Sequence, residues 1–330
     1  SGYVGMEIVR ILSNHENVNI VFLGSESNNN KHLVNIENTK TYLDLPVMKH
    51  NKSFDPSNAD YVFLSLPHSV SNKYVNSFYN KIKIIDLSAD FRLDNHQTYI
   101  ENYGDNHDCA HLLNEFVYGL VEVNKKNIYK TNNIAVPGCY PTSVLLPLIP
   151  MLDNNLIKPE NIIIDSKSGY SGAGKKFDIK LIKSDDDFNL YNYNTNSHRH
   201  IAEIKQELIK HSLNKKVSFS FNPHIVPSFR GMMSTIYCDL NDNITKGDIT
   251  NFLTDFDKNN YFIKFIKDNE RLDFFSIQNT NYCKIKIFDH YCDNKIIIVS
   301  NIDNLIKGAA GQAIQCFNLM ENFEETKALV

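Results

Sequence analysis

A lone cysteine, Cys139, stands directly ahead of an apolar segment that predicts a helix over residues 143–151. It lies in Pro137-Gly138-Cys139-Tyr140-Pro141-Thr142, where Pro141 suits the first helical position. A thiol at a helix N-terminus faces unpaired N–H groups and the positive end of the helix dipole, which favour the thiolate. We therefore predict that Cys139 is a nucleophile with a lowered thiol pKa. The alternative is an inert packing cysteine, which is the more common use of an isolated thiol.

Two histidines and an arginine occur together in Ser197-His198-Arg199-His200, ahead of an amphipathic helix. Either histidine could accept and donate protons near neutral pH, so the segment predicts an acid–base group. A solvated loop is the alternative. We predict no metal site, because no cluster of Cys, Asp or Glu stands nearby at ligand spacing. We favour His200 over His198 as the acid–base residue, although the pattern does not separate them.

A glycine-rich segment, Ser168-Gly-Tyr-Ser-Gly-Ala-Gly-Lys-Lys176, follows a predicted strand at 161–166. Glycines at this density allow close approach of a backbone to a ligand, or an anion-binding nest. The spacing does not match a phosphate-binding P-loop. A flexible surface loop is the alternative.

Arg230 ends a fourth motif, Pro223-His224-Ile225-Val226-Pro227-Ser228-Phe229-Arg230-Gly231, which runs into an apolar strand predicted at 232–240. Its planar, permanently charged guanidinium suits a carboxylate or a phosphate. Without the other motifs, a surface ion pair would explain it equally well.

These four motifs resemble, in order and spacing, those of the N-acetyl-gamma-glutamyl-phosphate reductases. The resemblance extends to Asp86-Leu87-Ser88-Ala89-Asp90-Phe91-Arg92 and to residues 303–313, and it covers essentially the whole chain. It implies NADPH-dependent reduction of N-acetyl-L-glutamyl 5-phosphate to the 5-semialdehyde, through a thioester on Cys139, in arginine biosynthesis. It also implies a homodimer or homotetramer.

The resemblance further assigns binding residues. Arg230, Arg92 and Lys175 would hold the phosphate or carboxylate of the substrate. The cofactor would contact Gly2, Tyr3, Gly5, Ser25, Ser27, Pro67, Ser168, Gly169, Ser171, Gly172, Asn304, Lys307 and Gly308. Ser25 and Ser27 could bond the 2′-phosphate of NADP, whereas Glu26 opposes it unless its side chain turns outward. Tyr170 departs from the small apolar residue usual in the family, which narrows the expected pocket.

The chain start is unusual. Ser1-Gly2-Tyr3-Val4-Gly5 and a helix predicted at 6–13 resemble only the last part of a dinucleotide-binding turn, which normally follows a first strand and an earlier glycine. A Rossmann sheet without this central strand would leave ladder groups unpaired. We therefore expect an incomplete sequence rather than a natural start.

Apolar periodicity predicts an α/β protein with two parts. A parallel series of strands is predicted at 18–23, 61–66, 82–87 and 134–136. A mostly antiparallel second sheet is predicted from strands at 217–221, 232–240, 282–289 and 296–301. A helix at 304–320 returns to the first domain in proteins that resemble this one. We predict a Rossmann-type NADP-binding domain of residues 1–137 and 305–330, and an α+β substrate and dimerisation domain of residues 138–304.

Composition fits an enzyme that acts on a small molecule. The 330 residues are 42% hydrophobic and carry a formal net charge of −4, which gives no general attraction to nucleic acid or anionic membrane. The six cysteines include no CxxC pair and are typical of reduced thiols, so we expect a cytoplasmic location.

Three alternative functions remain open. A sister enzyme acting on aspartate semialdehyde or a carrier-protein-linked substrate would share the cysteine chemistry, although the His-Arg-His spacing argues against the aspartate enzyme. A cofactor-free cysteine hydrolase would leave the glycine-rich segments without a role. An inactive remnant would not need every chemical residue in one constellation.

Overall fold

The computed structural model describes residues 2–37, 44–104, 106–213, 216–267, 269–292 and 294–330. Its first part holds four short parallel strands in the order β1-β2-β4-β3. The strands are β1 (Tyr61–Leu64), β2 (Lys83–Asp86), β3 (Val117–Tyr118) and β4 (Asn133–Ala135). The helices are α1 (Tyr3–Leu12), α2 (Val34–Glu37), α3 (Ser71–Phe78), α4 (His96–Tyr103) and α5 (Val121–Ile128). Apolar clusters cover both faces of this sheet, as expected for parallel strands.

The strand predicted at 18–23 is wrong. In the structure this segment makes no ladder, and only Gly24 forms an isolated bridge, to Lys49. A cavity of about 520 Å³ is lined by residues 17–24, by α1 and by β1. Among the described residues β1 pairs with β2 alone, so its other edge has no neighbour. An apolar run predicts a buried strand, but it cannot show which segment pairs with it.

The second part holds a seven-stranded mixed sheet in the order β6-β7-β5-β8-β11-β10-β9. Four of its pairings are antiparallel and two are parallel, which confirms a mostly antiparallel sheet. The strands are β5 (Ile162–Gly169), β6 (Tyr191–Asn192), β7 (Phe219–Val226), β8 (Met232–Asp239), β9 (Ile263–Phe265), β10 (Cys283–Asp289) and β11 (Lys295–Ile302). The helices are α6 (Cys139–Asp153), α7 (His200–Lys210) and α8 (Lys246–Asn259), and all three contribute side chains to the largest core cluster.

The sequence predicts one helix over residues 304–320, but the structure has two consecutive helical segments there. A π-helical turn, Ile306–Ala310, precedes helix α9 (Gly311–Met320). Cys316 and Phe317 of α9 join the apolar cluster on the parallel sheet. This return supports the division into 1–137 with 305–330 and 138–304, which we retain as a proposal. No helix in the described part of the chain is long and apolar enough to cross a membrane.

Candidate active site

Cys139 begins helix α6 rather than preceding it, with Gly138 as the N-cap. Pro141 therefore lies in the first helical turn, where an N–H has no helical acceptor. Burial raises the pKa of the Cys139 thiol, and it outweighs the Arg92 charge, the Tyr140 N–H and the Arg199 charge, which all lower it. The predicted lowering of this pKa is therefore wrong for the protein without substrate. The helix N-terminus is present as predicted, but the buried setting favours the neutral thiol.

His200 is the first residue of α7, and its ring lies directly against Gly138. A methyl group placed on Gly138 would come within 2.6 Å of His200 Nε2. Burial, reinforced by the neighbouring His198 and by the Arg92 charge, holds the pKa of His200 well below its usual value of 6.5. The imidazole is therefore neutral at physiological pH and can accept a proton.

His198 supports His200 and is the more remote of the two from Gly138. The backbone N–H of His200 donates to His198 Nδ1 at 3.1 Å, so the His198 proton sits on Nε2. The two rings meet edge to face with centroids 4.7 Å apart. Burial lowers the pKa of His198 to about 4. These positions support the preference for His200 as the acid–base residue, which stays a proposal.

Glu203, which the sequence interpretation missed, ties these elements together. Its Oε1 accepts the Gly138 N–H at 2.8 Å and the Tyr118 hydroxyl at 2.7 Å, and its Oε2 lies 3.4 Å from Arg92 Nη1. The side chain is fully buried. Glu203 lies three residues after His200 on one face of α7, a spacing that could have indicated it. It fixes the turn that carries Cys139.

Arg92 is placed near the thiol, but most of its guanidinium is already bonded. Its Nε donates to the Val136 carbonyl at 2.7 Å and its Nη2 to the Leu87 carbonyl at 2.9 Å. Both acceptors follow strand ends of the parallel sheet. These bonds hold Arg92 against the ends of two strands, and its charge lowers the pKa of the Cys139 thiol. They leave little of the guanidinium free for the substrate anion that it was predicted to bind.

Arg230, also predicted to bind substrate, is already paired with groups of the protein. Its guanidinium bonds Glu7 on α1 at 2.5 Å, lies 3.2 Å from Asp303, and donates to Asn279. Two carboxylates neutralise its charge, and its side chain is buried. The arrangement does not support a substrate-binding role and instead ties α1 to the second sheet.

The glycine-rich segment is not a free anion nest. The N–H groups of Gly169, Tyr170 and Ser171 donate to backbone carbonyls of residues 228–231 at 2.8–2.9 Å. Gly169 is required there, because a Cβ would lie 2.8 Å from two carbonyl oxygens. Tyr170 packs against Phe177 and Phe229.

Several predicted cofactor residues meet at this loop. Asn304 Nδ2 donates to Ser171 Oγ at 2.9 Å, and Asn304 Oδ1 accepts the Gly231 N–H at 2.8 Å. A Cβ on Gly172 would approach Ser168 Oγ at 3.0 Å, so Ser168 and Gly172 are adjacent. Asn304 therefore locks the loop beside the start of the π-helical turn.

Lys307 and Gly308 lie behind the cysteine. Lys307 is fully buried and bonds Glu122 at 2.6 Å and Gln315 at 2.7 Å, which does not support the predicted contact with a cofactor. A Cβ on Gly308 would lie 2.8 Å from Cys139 Cβ. Gly308 thus allows the π-helical turn to pack directly on the nucleophile.

The remaining predicted cofactor residues surround the start of α1. Gly2 is the N-cap and has open space around it, and no side chain caps the helix. The Lys175 ammonium lies 5.4 Å from the Tyr3 ring centre, and a Cβ on Gly5 would approach Ser65, just after β1. Pro67 is exposed in the turn after β1. Lys175 is thus placed at α1, although it was predicted to bind substrate.

The segment after Gly24 holds the residues that were predicted to bond the 2′-phosphate. Ser25 is buried and its Oγ accepts the Asn28 N–H, whereas Ser27 is exposed. Glu26 turns outward and pairs with His50 at 2.5 Å. The carboxylate that opposed a 2′-phosphate is therefore directed toward the His50 imidazole. In the described part of the chain no group of three His, Cys, Asp or Glu could hold a metal ion.

Gly138→Ala should lower kcat/KM by about 100-fold, since the added methyl displaces His200 or Arg92 by a large fraction of an ångström. The backbone of Gly138 suits alanine (φ −66°, ψ 156°), so the loss would come from the contact alone. Gly247→Ala, in the exposed first turn of α8, is the matched control and should change steady-state rates less than twofold. Equal rates in wild type and Gly138→Ala would contradict this placement of His200.

Two family models match the chain. A semialdehyde dehydrogenase NAD-binding domain matches residues 1–131, and a semialdehyde dehydrogenase dimerisation domain matches residues 139–304. N-acetyl-gamma-glutamyl-phosphate reductase from Ehrlichia ruminantium (strain Gardel) is 42% identical over all of this chain and 95% of its own length. A probable chloroplastic enzyme of that name from Arabidopsis thaliana is 38% identical over all of this chain and 82% of its own length.

Solved structures share the fold. Aspartate semialdehyde dehydrogenase II from Vibrio cholerae, complexed with ASA, has a TM-score of 0.75 at 18% identity, covering 98% of this chain and 96% of its own. Aspartate semialdehyde dehydrogenase with NADP from Candida albicans has a TM-score of 0.67 at 16% identity, covering 96% of this chain and 95% of its own. At these identities the likeness concerns architecture, and it confirms the two-domain α/β fold.

Proposed function

The chain belongs to the N-acetyl-gamma-glutamyl-phosphate reductases, within the semialdehyde dehydrogenase family, and we propose that Cys139 and His200 carry its reaction. It is an NADP-dependent oxidoreductase that converts N-acetyl-L-glutamyl 5-phosphate to N-acetyl-L-glutamate 5-semialdehyde and phosphate, in arginine biosynthesis. One observation carries the residue assignment. The neutral His200 imidazole lies against the glycine that precedes Cys139, at the N-terminus of α6.

The residues present fit a dinucleotide. The first N–H groups of α1 have no side-chain cap, and the Lys175 ammonium lies over Tyr3 in the same turn, so pyrophosphate would meet backbone donors and a cation. Ser27 is exposed beside the outward-turned Glu26, which leaves room for a 2′-phosphate. When bound, NADPH supplies the hydride that reduces the thioester carbonyl.

The protein's own groups account for acyl transfer. His200 takes the thiol proton of Cys139 as the sulfur attacks the acyl carbon. The carbon–sulfur bond forms, the carbon–oxygen bond to phosphate breaks, and His200 returns the proton toward the leaving phosphate. After reduction, Cys139 leaves the tetrahedral adduct as a thiolate, and the semialdehyde is released. The positive ends of Arg92 and Arg199 stabilise the transient thiolate.

The reverse reaction tests the substrate. The enzyme, N-acetylglutamate semialdehyde, NADP and phosphate should give NADPH absorbance that depends on phosphate. Aspartate semialdehyde at the same concentration should react at least about 100-fold less efficiently, because it lacks the length and the acetamido group of the substrate. A preference for aspartate semialdehyde would favour the sister activity instead.

We propose that the outer face of the seven-stranded sheet forms a homodimer. Cross-strand neighbours Ile163, Tyr237, Ile297 and Phe288 form one apolar row across β5, β8, β11 and β10. Ile163 is 52% and Phe288 40% exposed in the single chain. The matched dimerisation domain supports this use of the face. A tetramer and a cytoplasmic location stay predictions.

Tyr237→Asp should convert the dimer to a monomer at micromolar concentration, because it buries a carboxylate in the middle of the row. Sedimentation velocity measures this directly. Tyr129→Asp, on the exposed end of α5, is the control and should stay dimeric. A Tyr237→Asp protein that sediments as a dimer would place the interface elsewhere.

A further inference from the structure

Tyr103 lies next to α7, the helix that begins with His200. It ends α4, and its ring contacts the ring of His68 at 5.7 Å between centroids and stacks on Tyr99 at 5.0 Å. It also packs with Ala202 of α7, between His200 and Glu203. His68 in turn bonds Arg199, the N-cap of α7. Tyr103 therefore borders the same turn of α7 that carries the proposed base.

The Tyr103 hydroxyl is shielded from solvent and has no hydrogen-bond partner among the described residues. Two other buried tyrosines, Tyr99 and Tyr118, do have hydrogen-bond partners for their hydroxyls. The Tyr99 hydroxyl donates to Asp90 at 2.9 Å, and the Tyr118 hydroxyl donates to Glu203 at 2.7 Å. A buried phenol without a partner is costly, so such a group in a native protein calls for a specific explanation.

The electrostatic setting of Tyr103 indicates what its hydroxyl would meet. Burial and the Glu203 charge raise the pKa of Tyr103 to about 12, so the hydroxyl remains a proton donor. Arg92 and Arg199 lower that pKa, and the same two cations lower the pKa of the Cys139 thiol. The Tyr103 hydroxyl and the Cys139 thiol are therefore both near the positive charges of Arg92 and Arg199. Arg92 is largely bonded to backbone carbonyls, whereas Arg199 is exposed and bonds His68 through Nη1, so its guanidinium can face an arriving anion beside Tyr103.

We propose that Tyr103 Oη donates a hydrogen bond to the phosphoryl group of the acyl-phosphate substrate, beside Arg199. The inference rests on the proposed function. The phosphoryl group is the anionic part of the substrate nearest the reacting carbon, whereas three carbons separate the α-carboxylate from that carbon. Because Tyr103 Oη and the thiol are near the same two arginines, the part of the substrate that Tyr103 Oη meets is the phosphoryl group. Tyr103 is a substrate-binding residue in this account, and the proton transfers remain with His200.

Tyr103→Phe removes one oxygen and keeps the ring stacking. In the reverse reaction, the KM for inorganic phosphate should rise about tenfold or more, since a hydrogen bond to a charged group is lost. The KM for the semialdehyde should change less than twofold. Tyr129→Phe, an exposed tyrosine, should change neither constant. An unchanged phosphate KM, or an increase confined to the semialdehyde KM, would overturn the assignment.

A second measurement does not depend on turnover. Inorganic phosphate should slow alkylation of Cys139 by iodoacetamide, and the phosphate concentration giving half protection should rise about tenfold in Tyr103→Phe. If wild type lacks phosphate-dependent activity, the proposed function fails, yet protection still tests Tyr103. Equal protection of wild type and Tyr103→Phe would refute the contact. Equal melting temperatures exclude a folding defect as the cause of any difference.

Discussion

Cys139→Ser should lose reductase activity by about 10⁴-fold or more while keeping its fold, because the serine hydroxyl is a far weaker nucleophile at the same position. The exchange is nearly isosteric, and a hydroxyl can accept the Tyr140 N–H that the sulfur accepts, so the packing around position 139 should be kept. Steady-state NADPH oxidation with the acyl phosphate measures the loss. Circular dichroism and the melting temperature check that the protein is folded.

Other cysteines provide the matched control. Cys292 is exposed and lies in the hairpin between β10 and β11, so Cys292→Ser should retain full activity. Cys316 is buried against the Gly119 carbonyl, and its replacement would test stability rather than chemistry. Full activity in Cys139→Ser would exclude the thioester route.

His200→Asn should lower kcat/KM by about 10³-fold, within the range for loss of a general base. His198→Asn should cost less, since His198 accepts the backbone N–H of His200, whereas the His200 ring lies nearest to Gly138. Asparagine can occupy similar space in either position. A larger loss in His198→Asn would reverse the assignment of the two histidines.

The dependence of kcat/KM on pH tests the protonation state of His200 independently. The base must be neutral, and burial with neighbouring cations holds the pKa of His200 well below 6.5. Protonation therefore sets in only below that value, and kcat/KM should be level from pH 7.5 to 6.5 and fall at lower pH. In His200→Asn, the fall of kcat/KM at low pH that we assign to His200 should be absent. A wild-type decline centred at or above pH 6.5 would contradict a buried neutral imidazole.

The lowered pKa values of His200 and His198 also make the free energy of unfolding depend on pH. A histidine whose folded pKa is lowered binds more protons when unfolded, so its contribution to stability is full above pH 6.5 and is lost as pH falls. His198, with a pKa of about 4, should contribute to destabilisation across the interval from pH 6.5 to 4.

The candidate nucleophile and acid–base residues, whose roles stay proposals, could be picked out of the sequence because each lies in a local pattern. Cys139 precedes an apolar helix, and His198 and His200 open an amphipathic one. Five of the seven strands of the second sheet were likewise predicted, with shifted ends, since alternating burial is a local signal, whereas the short strands β6 and β9 were missed. The family resemblance added the substrate and NADP, and the relatives confirm both.

What failed depends on contacts distant in sequence. The thiol pKa rises because burial, which the sequence does not show, outweighs the helix N-terminus. Arg230 and Lys307 look like free cations in the sequence, but carboxylates from other elements pair with both. Residues 18–23 have strand-like composition but no ladder partner among the described residues. Long-range pairing decided each outcome.

Trapping the thioester tests the central claim most directly. Enzyme mixed with N-acetylglutamate semialdehyde and NADP, without phosphate, should form about one equivalent of NADPH and an N-acetylglutamyl adduct on the peptide that contains Cys139. Adding phosphate should release the adduct and restore turnover, and Cys139→Ser should show neither effect. NADPH formation with no adduct on Cys139, or an adduct on another residue, would contradict the account.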